Sequence, residues 1–438
     1  MATNNPTFPV LRFPILEQVP LPPVQRVRLS HPQADPVADL QASVVSALEQ
    51  SARFRQLPAG SQVAVAVGSR GIARIDEVVT YAISWLKERG LEPFIVPAMG
   101  SHGGAKAEGQ AAVLAQLGVT EERVGAPVRA TMEVVEYGAT KEGIPCYFDA
   151  NAAAADAVLL LARVKSHTSF DRSIESGLNK MIAVGLGKDR GARSVHTLGP
   201  RGYTEILPQL SALAIEHSPI AYGIALVENA RKDLVTVEGV EPENFMAADE
   251  RLLKQAKKLL ARLPFEQIDA LIVEWIGKEI SGAGMDYAVT ARTDIRGKSN
   301  PPTPFIHKIG LLGITAKSDG NGIGLGVADF TTRQAAESCD LQKTYTNAII
   351  STFGEKARIP IVLPDDRTVI NACVLTCWRA DPENARLCII HSTLYLNEIL
   401  VSPSLLADLE GHADIEILSE PEPLAFDENG ALLTRCGI

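Results

Sequence analysis

Two rhythms of apolar and polar positions run through the first half of the chain. "SQVAVAVGSRG" predicts a buried strand over Gln62–Val67, then a glycine-bounded turn. "IDEVVTYAISWLKERG" changes to a helical period: Ile75, Val78, Val79, Ala82, Ile83 and Leu86 fall on one face, and Gly90 ends it. "EPFIVPAMGSHGGAK" reads as a strand running into a glycine-rich loop, and "AEGQAAVLAQLG" as the helix after it. "DAVLLLARVKSHTSF" repeats the motif, its strand ending at Arg163, and "IAYGIALVEN" is a further strand. A lysine-rich amphipathic helix is expected from Phe245 to Leu263.

After Pro264 a new unit is expected. "IDALIVEW" and "IGLLGIT" read as strands, each followed by a loop, "IGKEISGAGMD" and "KSDGNGIGLGVADF". Helices are predicted near Thr332–Ser351 and Asp366–Trp378, with strands at "RLCIIHS" and "ADIEILSE". The expected division is residues 1–264 and 265–438, with the last residues free to return to the first domain. The strand–loop–helix recurrence predicts an α/β fold: two α/β domains with mostly parallel sheets and the active site in the interdomain cleft. Ligands in such folds sit beyond the carboxyl ends of the strands. The loops "GSRG", "GSHGG" and "VKSHTSF" fall at such ends and carry Arg70, His102 and His167.

Composition narrows the partners. The chain has 438 residues, enough for two or three domains. Its net charge of −10 argues against a nucleic-acid partner, while a local basic cluster could still attract a small anion. No apolar run of about 18 residues is present, so no membrane span is expected. The start lacks a signal-peptide pattern, and the prolines between Pro14 and Pro23 predict an extended arm lying on a neighbour. Six cysteines without Cys-x-x-Cys spacing read as reduced thiols of a cytoplasmic protein, with Cys373 and Cys377 on one face of a helix as small buried hydrophobes. Homo-oligomerisation is left open.

Of eight histidines, His31, His217 and His412 have polar surroundings and are expected to face solvent. His391 follows an apolar strand and reads as a structural residue, and His307 has no assignment. His102, His167 and His196 differ, because two of them stand in loops at strand ends. Lys180 lies in "ESGLNKMIAVGLGKDRGARSVH", among four glycines and an aliphatic run. An exposed helix face would favour alanine over glycine by roughly 0.5–1 kcal/mol per position. An ammonium carried into apolar surroundings is costly unless it is paired, loses its proton or is captured covalently. The glycines are read as room for a bulky planar group against the backbone.

The set "GSRG", "GSHGG", "KSH", "SGLNK" and a later histidine resembles the lactate racemase (LarA-type) family, over about residues 60–420. The resemblance implies a nickel-pincer nucleotide attached covalently at Lys180. It also implies a nickel ligand at His196, sixteen positions on (196 − 180 = 16). It makes His102 and His167 the acid–base pair and Arg70 a substrate-carboxylate clamp, with Lys278 a candidate for a second substrate oxygen. The interval from His167 to Lys180 (180 − 167 = 13) is longer than the family's. "IGKEISGAGMD" keeps Lys278 but lacks the Gln and Lys that follow in the family. A divergent branch acting on a 2-hydroxy acid other than lactate fits these departures.

The chemistry suits the residue types. The α-proton beside a carboxylate is weakly acidic, so moving a hydride avoids a carbanion. Two enantiomers present their hydroxyls to opposite sides, which asks for two bases of imidazole pKa. A tetragonal nickel(II) accepts imidazole, and a guanidinium matches a carboxylate. Other readings stay open. Lys278 could pair with Glu279 or Asp286, Ser281–Gly284 could be a simple turn, and Asp319–Gly326 is either a phosphate cradle or a plain turn. His102, His167 and His196 could instead hold zinc in a hydrolase or lyase, or the chain could bind the nucleotide without catalysing.

Overall fold

The computed structural model describes residues 4–31, 34–69, 72–166, 172–293, 300–409 and 415–437. Contacts divide the chain into two compact units: a first within residues 34–260, and a second that joins residues 4–31 to those from 261 onward. The strands are β1 (Gln25–Leu29), then β2 (Gln62–Val67), β3 (Glu92–Pro97), β4 (Val134–Ala139), β5 (Pro145–Asp149), β6 (Ala157–Arg163), β7 (Ile220–Glu228) and β8 (Leu234–Val240). They continue with β9 (Gln267–Ile276), β10 (Phe305–Ile314), β11 (Phe330–Thr332), β12 (Ile361–Leu363), β13 (Leu387–Ile390), β14 (Glu398–Val401) and β15 (Ile415–Ile417).

The first unit holds a five-stranded sheet in the order β3-β2-β6-β7-β8, parallel except for β8. β4 and β5 form a separate antiparallel pair. Val63, Val65 and Val67 alternate with Ala64 and Ala66, and all five are fully buried, as strands covered on both faces require. The valines share an apolar cluster with the predicted face of helix Ile75–Glu88, to which Trp85 also belongs. Each such side chain stabilises the fold by about 1.5–3 kcal/mol. The strand order reverses at β2, so the loops after β2 and β6 flank a topological switch point.

The second unit has eight strands in the order β12-β11-β10-β9-β13-β14-β1-β15. It is parallel from β12 to β13 and antiparallel from there. The fold is therefore α/β with mixed, mostly parallel sheets, as the alternation predicts.

The boundaries differ from the expected 1–264 and 265–438. Residues 4–31 group with the second unit, and the division falls at 260/261. β1 lies between β14 and β15 because Val27 and Leu29 complete an apolar cluster with Ile399 and Val401. The proline-rich arm packs on its own chain: Asn371 Nδ2 donates to the Leu16 carbonyl at 2.7 Å. The last residues stay in the second unit, where Leu432 and Cys436 share a cluster with Val369 and Ile389.

Two helices also differ. The one expected over Phe245–Leu263 ends at Lys258. The one expected over Thr332–Ser351 is split into Arg333–Glu337 and Leu341–Ser351, because the Asp340 carboxylate caps the second by accepting from Lys343 N. All six cysteines are buried and unpaired, and Cys377 lies beyond the helix Asp366–Leu375 that holds Cys373. Among the described residues no helix is long and apolar enough to cross a membrane.

Candidate active site

β3, β2 and β6 are neighbours and parallel, so their carboxyl ends open on one edge of the sheet. The loop after β3 carries His102, an exposed residue whose Nδ1 shares a hydrogen bond with Ser69 Oγ of the loop after β2. Arg70 and His167 lie outside the described residues. The stretch after β6 is tied down at its base, where the Ser176 hydroxyl accepts from Lys165 N and donates to Lys165 O, each at 2.6 Å.

Lys180 closes a single helical turn, Leu178–Lys180, followed by a π-helical turn, Met181–Leu186, and helix Lys188–His196. The Lys180 side chain is half-buried. Its Nζ donates to the Glu175 carbonyl at 3.3 Å and lies 5.2 Å from the centre of the Tyr203 ring. The His196 ring stacks on the same tyrosine, 5.7 Å between centres and 21° between planes. Burial, then the charge of Lys180, pushes the His196 imidazole down to about 4. It is neutral at physiological pH, with a ring-nitrogen lone pair that a metal could use.

The four glycines around Lys180 serve the protein's own packing. A Cβ on Gly177, whose φ is +100°, would stand 2.1 Å from Asp249 Oδ1. One on Gly185 would stand 2.7 Å from the Ala98 carbonyl, and ones on Gly187 and Gly191 would meet the Ala183 carbonyl at 2.5 and 2.6 Å. The expectation that these glycines leave room for a planar group is corrected: backbone and carboxylate already fill the space. The result is that the π-turn lies directly on the loop after β3, where Gly100 N donates to Gly185 O at 3.1 Å.

Asp249, on helix Phe245–Lys258, fixes the start of the lysine turn. Its carboxylate accepts from Leu178 N (3.0 Å), Asn179 N (2.9 Å) and Asn179 Nδ2 (2.7 Å), and Ser211 Oγ donates to Asn179 Oδ1. Burial raises this carboxyl to about 6 against the pull of those bonds. Glu175, also buried, pairs with Lys257 at 2.5 Å. Sequence reasoning missed Asp249, Glu175 and Tyr203. Tyr203 had a signal, seven positions after His196 and so two helical turns on, whereas Asp249 is 69 positions from Lys180 and had none.

The second unit treats its candidate groups differently. Lys278 Nζ donates to the Gly282 carbonyl (2.7 Å) and to Asn347 Oδ1 (2.9 Å). The loops Ser281–Gly284 and Asp319–Gly326 interlock: a Cβ on Gly284 would stand 1.8 Å from the Ile323 carbonyl, and one on Gly324 2.6 Å from the Ala283 carbonyl. Gly322 N donates to Thr344 Oγ1, Ile323 N to Asn321 Oδ1 and Gly324 N to Lys356 O. Those amides are committed within the protein, which favours the plain turn over a phosphate cradle.

The remaining histidines divide. His391 is structural, its Nδ1 3.3 Å from Glu274 Oε2, and His217 is exposed. His31, expected in solvent, is half-buried, and burial lowers its pKa. His307 packs edge-on between Phe305 and Trp378. His412 lies outside the described residues. Among the described residues no group of three or more His, Cys, Asp or Glu side chains is arranged to hold a metal ion.

Residues 16–200 match the family model of the lactate racemase N-terminal domain. Among solved structures, the chain is similar to the lactate racemase apoprotein from Thermoanaerobacterium thermosaccharolyticum. The TM-score is 0.47 at 11% identity, over 88% of this chain and 95% of that one. No curated protein sequence matches.

Proposed function

We propose, on the premise of the match of residues 16–200 to the lactate racemase N-terminal domain model, that the protein is an isomerase of racemase type. Its substrate is a small 2-hydroxy acid, and Lys180 is the covalent attachment point of a nickel-pincer nucleotide. The observation that carries the reading is the meeting of Lys180 and His196 on Tyr203. The residues fit the group: the amine is half-buried beside an imidazole held neutral, one to bond the nucleotide and one to ligate nickel. When bound, that cofactor supplies a reversible hydride acceptor.

The chain's own groups do the rest. His102 takes the substrate's hydroxyl proton from one side and returns it, with the Ser69 hydroxyl orienting the ring. His167 serves the opposite enantiomer. Arg70 pairs with the carboxylate through two N–H groups.

The test is protein produced alongside the cofactor's biosynthetic enzymes. Intact mass and peptide mapping should show an adduct on the peptide holding Lys180. The loaded protein should abolish the optical rotation of one member of a panel of single-enantiomer 2-hydroxy acids. Unmodified Lys180 with stoichiometric zinc would replace this reading with a zinc hydrolase or lyase. An adduct that survives Lys180→Ala would also end it.

A further inference from the structure

We propose that Lys188 is a positioning residue that holds the His102 loop against the Lys180–His196 segment. This deepens the reading above and rests on it. Lys188 stands midway between the two, eight positions from each (188 − 180 = 8; 196 − 188 = 8). It is completely buried, and its backbone is left-handed at φ +53°, a strained conformation for a residue with a side chain. Its ammonium is 2.8 Å from Asp149 Oδ2 at the end of β5, donates to Gln110 Oε1 at 3.1 Å and donates to the Pro97 carbonyl at the end of β3.

Gln110 passes the connection on. This fully buried side chain, on helix Ala107–Gln116, donates through Nε2 to the Gly100 carbonyl at 2.7 Å and to the His102 carbonyl at 3.4 Å. A continuous chain of bonds thus runs from Asp149 through Lys188 and Gln110 to the backbone of His102. The loop's fit is close, since a Cβ on Gly109 would stand 1.9 Å from the Gly103 carbonyl.

A buried ion pair is a weak source of net stability, because both charges lose their hydration. An apolar pair in that place would hold β5 against the turn as well. The ammonium adds direction, since it donates to the Pro97 carbonyl and Gln110 Oε1 while pairing with the Asp149 carboxylate, and so sets the rotamer of Gln110. Neither Lys188 nor Gln110 touches the reacting groups; both act through the His102 backbone.

The experiment compares Lys188→Met, Asp149→Asn, the two combined, and Gln110→Met. Lys188→Met alone leaves the Asp149 carboxylate buried without its cation and should destabilise the fold. The combined variant removes the unpaired charge and should recover much of that loss. Gln110→Met leaves the ion pair intact and removes only the connection. In cofactor-free protein, the His102 imidazole resonances should shift or broaden in both the combined variant and Gln110→Met. In loaded enzyme, kcat should fall by about 10–100-fold with KM little changed, as expected for a misplaced proton-transfer group. His102 resonances at their wild-type positions in folded Gln110→Met would overturn the proposal, even where the combined variant does not fold. Shifted resonances in a protein that turns over no hydroxy acid would uphold the positioning role and defeat the proposed function instead.

Discussion

The glycine-rich segment around Lys180 and the two glycine loops of the second unit look alike in sequence and are crowded to a similar degree. Gly177 and Gly284 both have positive φ, and a Cβ on either would stand about 2 Å from an oxygen. What the crowding achieves differs. In the second unit it locks one loop to another and commits their amides internally. In the first it presses a lysine turn onto a buried carboxylate, and the same segment then carries a lysine and a histidine to one aromatic ring. Glycine density thus marks close backbone approach in both places, and the side chains that the approach delivers decide whether a site results.

The sharpest way to break this comparison is Gly177→Ala against Gly284→Ala. Both should lose on the order of 2–6 kcal/mol, from a positive-φ strain and an overpacked contact, read as a fall in urea midpoint. Only Gly177→Ala should also change the acetylation rate of Lys180, followed by peptide mass spectrometry. Equal labelling in the two variants would remove the distinction drawn here.

A second test uses pH. The His196 imidazole has a folded pKa of about 4, below its ordinary value of 6.5. Its contribution is present above pH 6.5 and is lost as pH falls toward 4. Asp249 is the reverse: its folded pKa of about 6 lies above the ordinary 3.8, so its contribution is present below 3.8 and is lost as pH rises through 6. His196→Gln and Asp249→Asn should therefore tilt the stability–pH profile between 4 and 6.5 in opposite directions. Parallel profiles would mean that the two groups are not perturbed as described.

The smallest effect is expected at Gly354, where a Cβ meets nothing within 4 Å and φ is not positive. Gly354→Ala should change stability by under about 1 kcal/mol, toward a gain, because it restricts the unfolded chain. A loss as large as that at Gly177 would show that crowding does not rank these positions.

Much of the fold was legible because its signals are local. The runs at Gln62–Val67 and Ala157–Arg163 and the apolar face of Ile75–Glu88 needed only their own periodicity. So did the loop carrying His102, since a strand followed by glycines marks a carboxyl-end loop. Lys180 and His196, sixteen positions apart, both lie beside Tyr203, a neighbour that the interval alone does not name. What stayed hidden depends on distant segments. Asp249, Asp149 and Gln110 are ordinary polar residues in sequence and acquire roles only when another element arrives beside them. β1 gave no sign of its partners near residue 400, because strand pairing over that separation leaves no periodic trace.

That pairing has a consequence for how the chain is made. β1 ends at residue 29 and its first partner, β14, begins at residue 398, so 369 residues must be synthesised before the two can join (398 − 29 = 369). At about 5–20 residues per second, the interval is roughly 20–75 s. The inserted unit has time to fold on the ribosome while the first strand waits with its hydrogen-bonding edges unmatched. A nascent chain in that state offers a ready template for foreign strands.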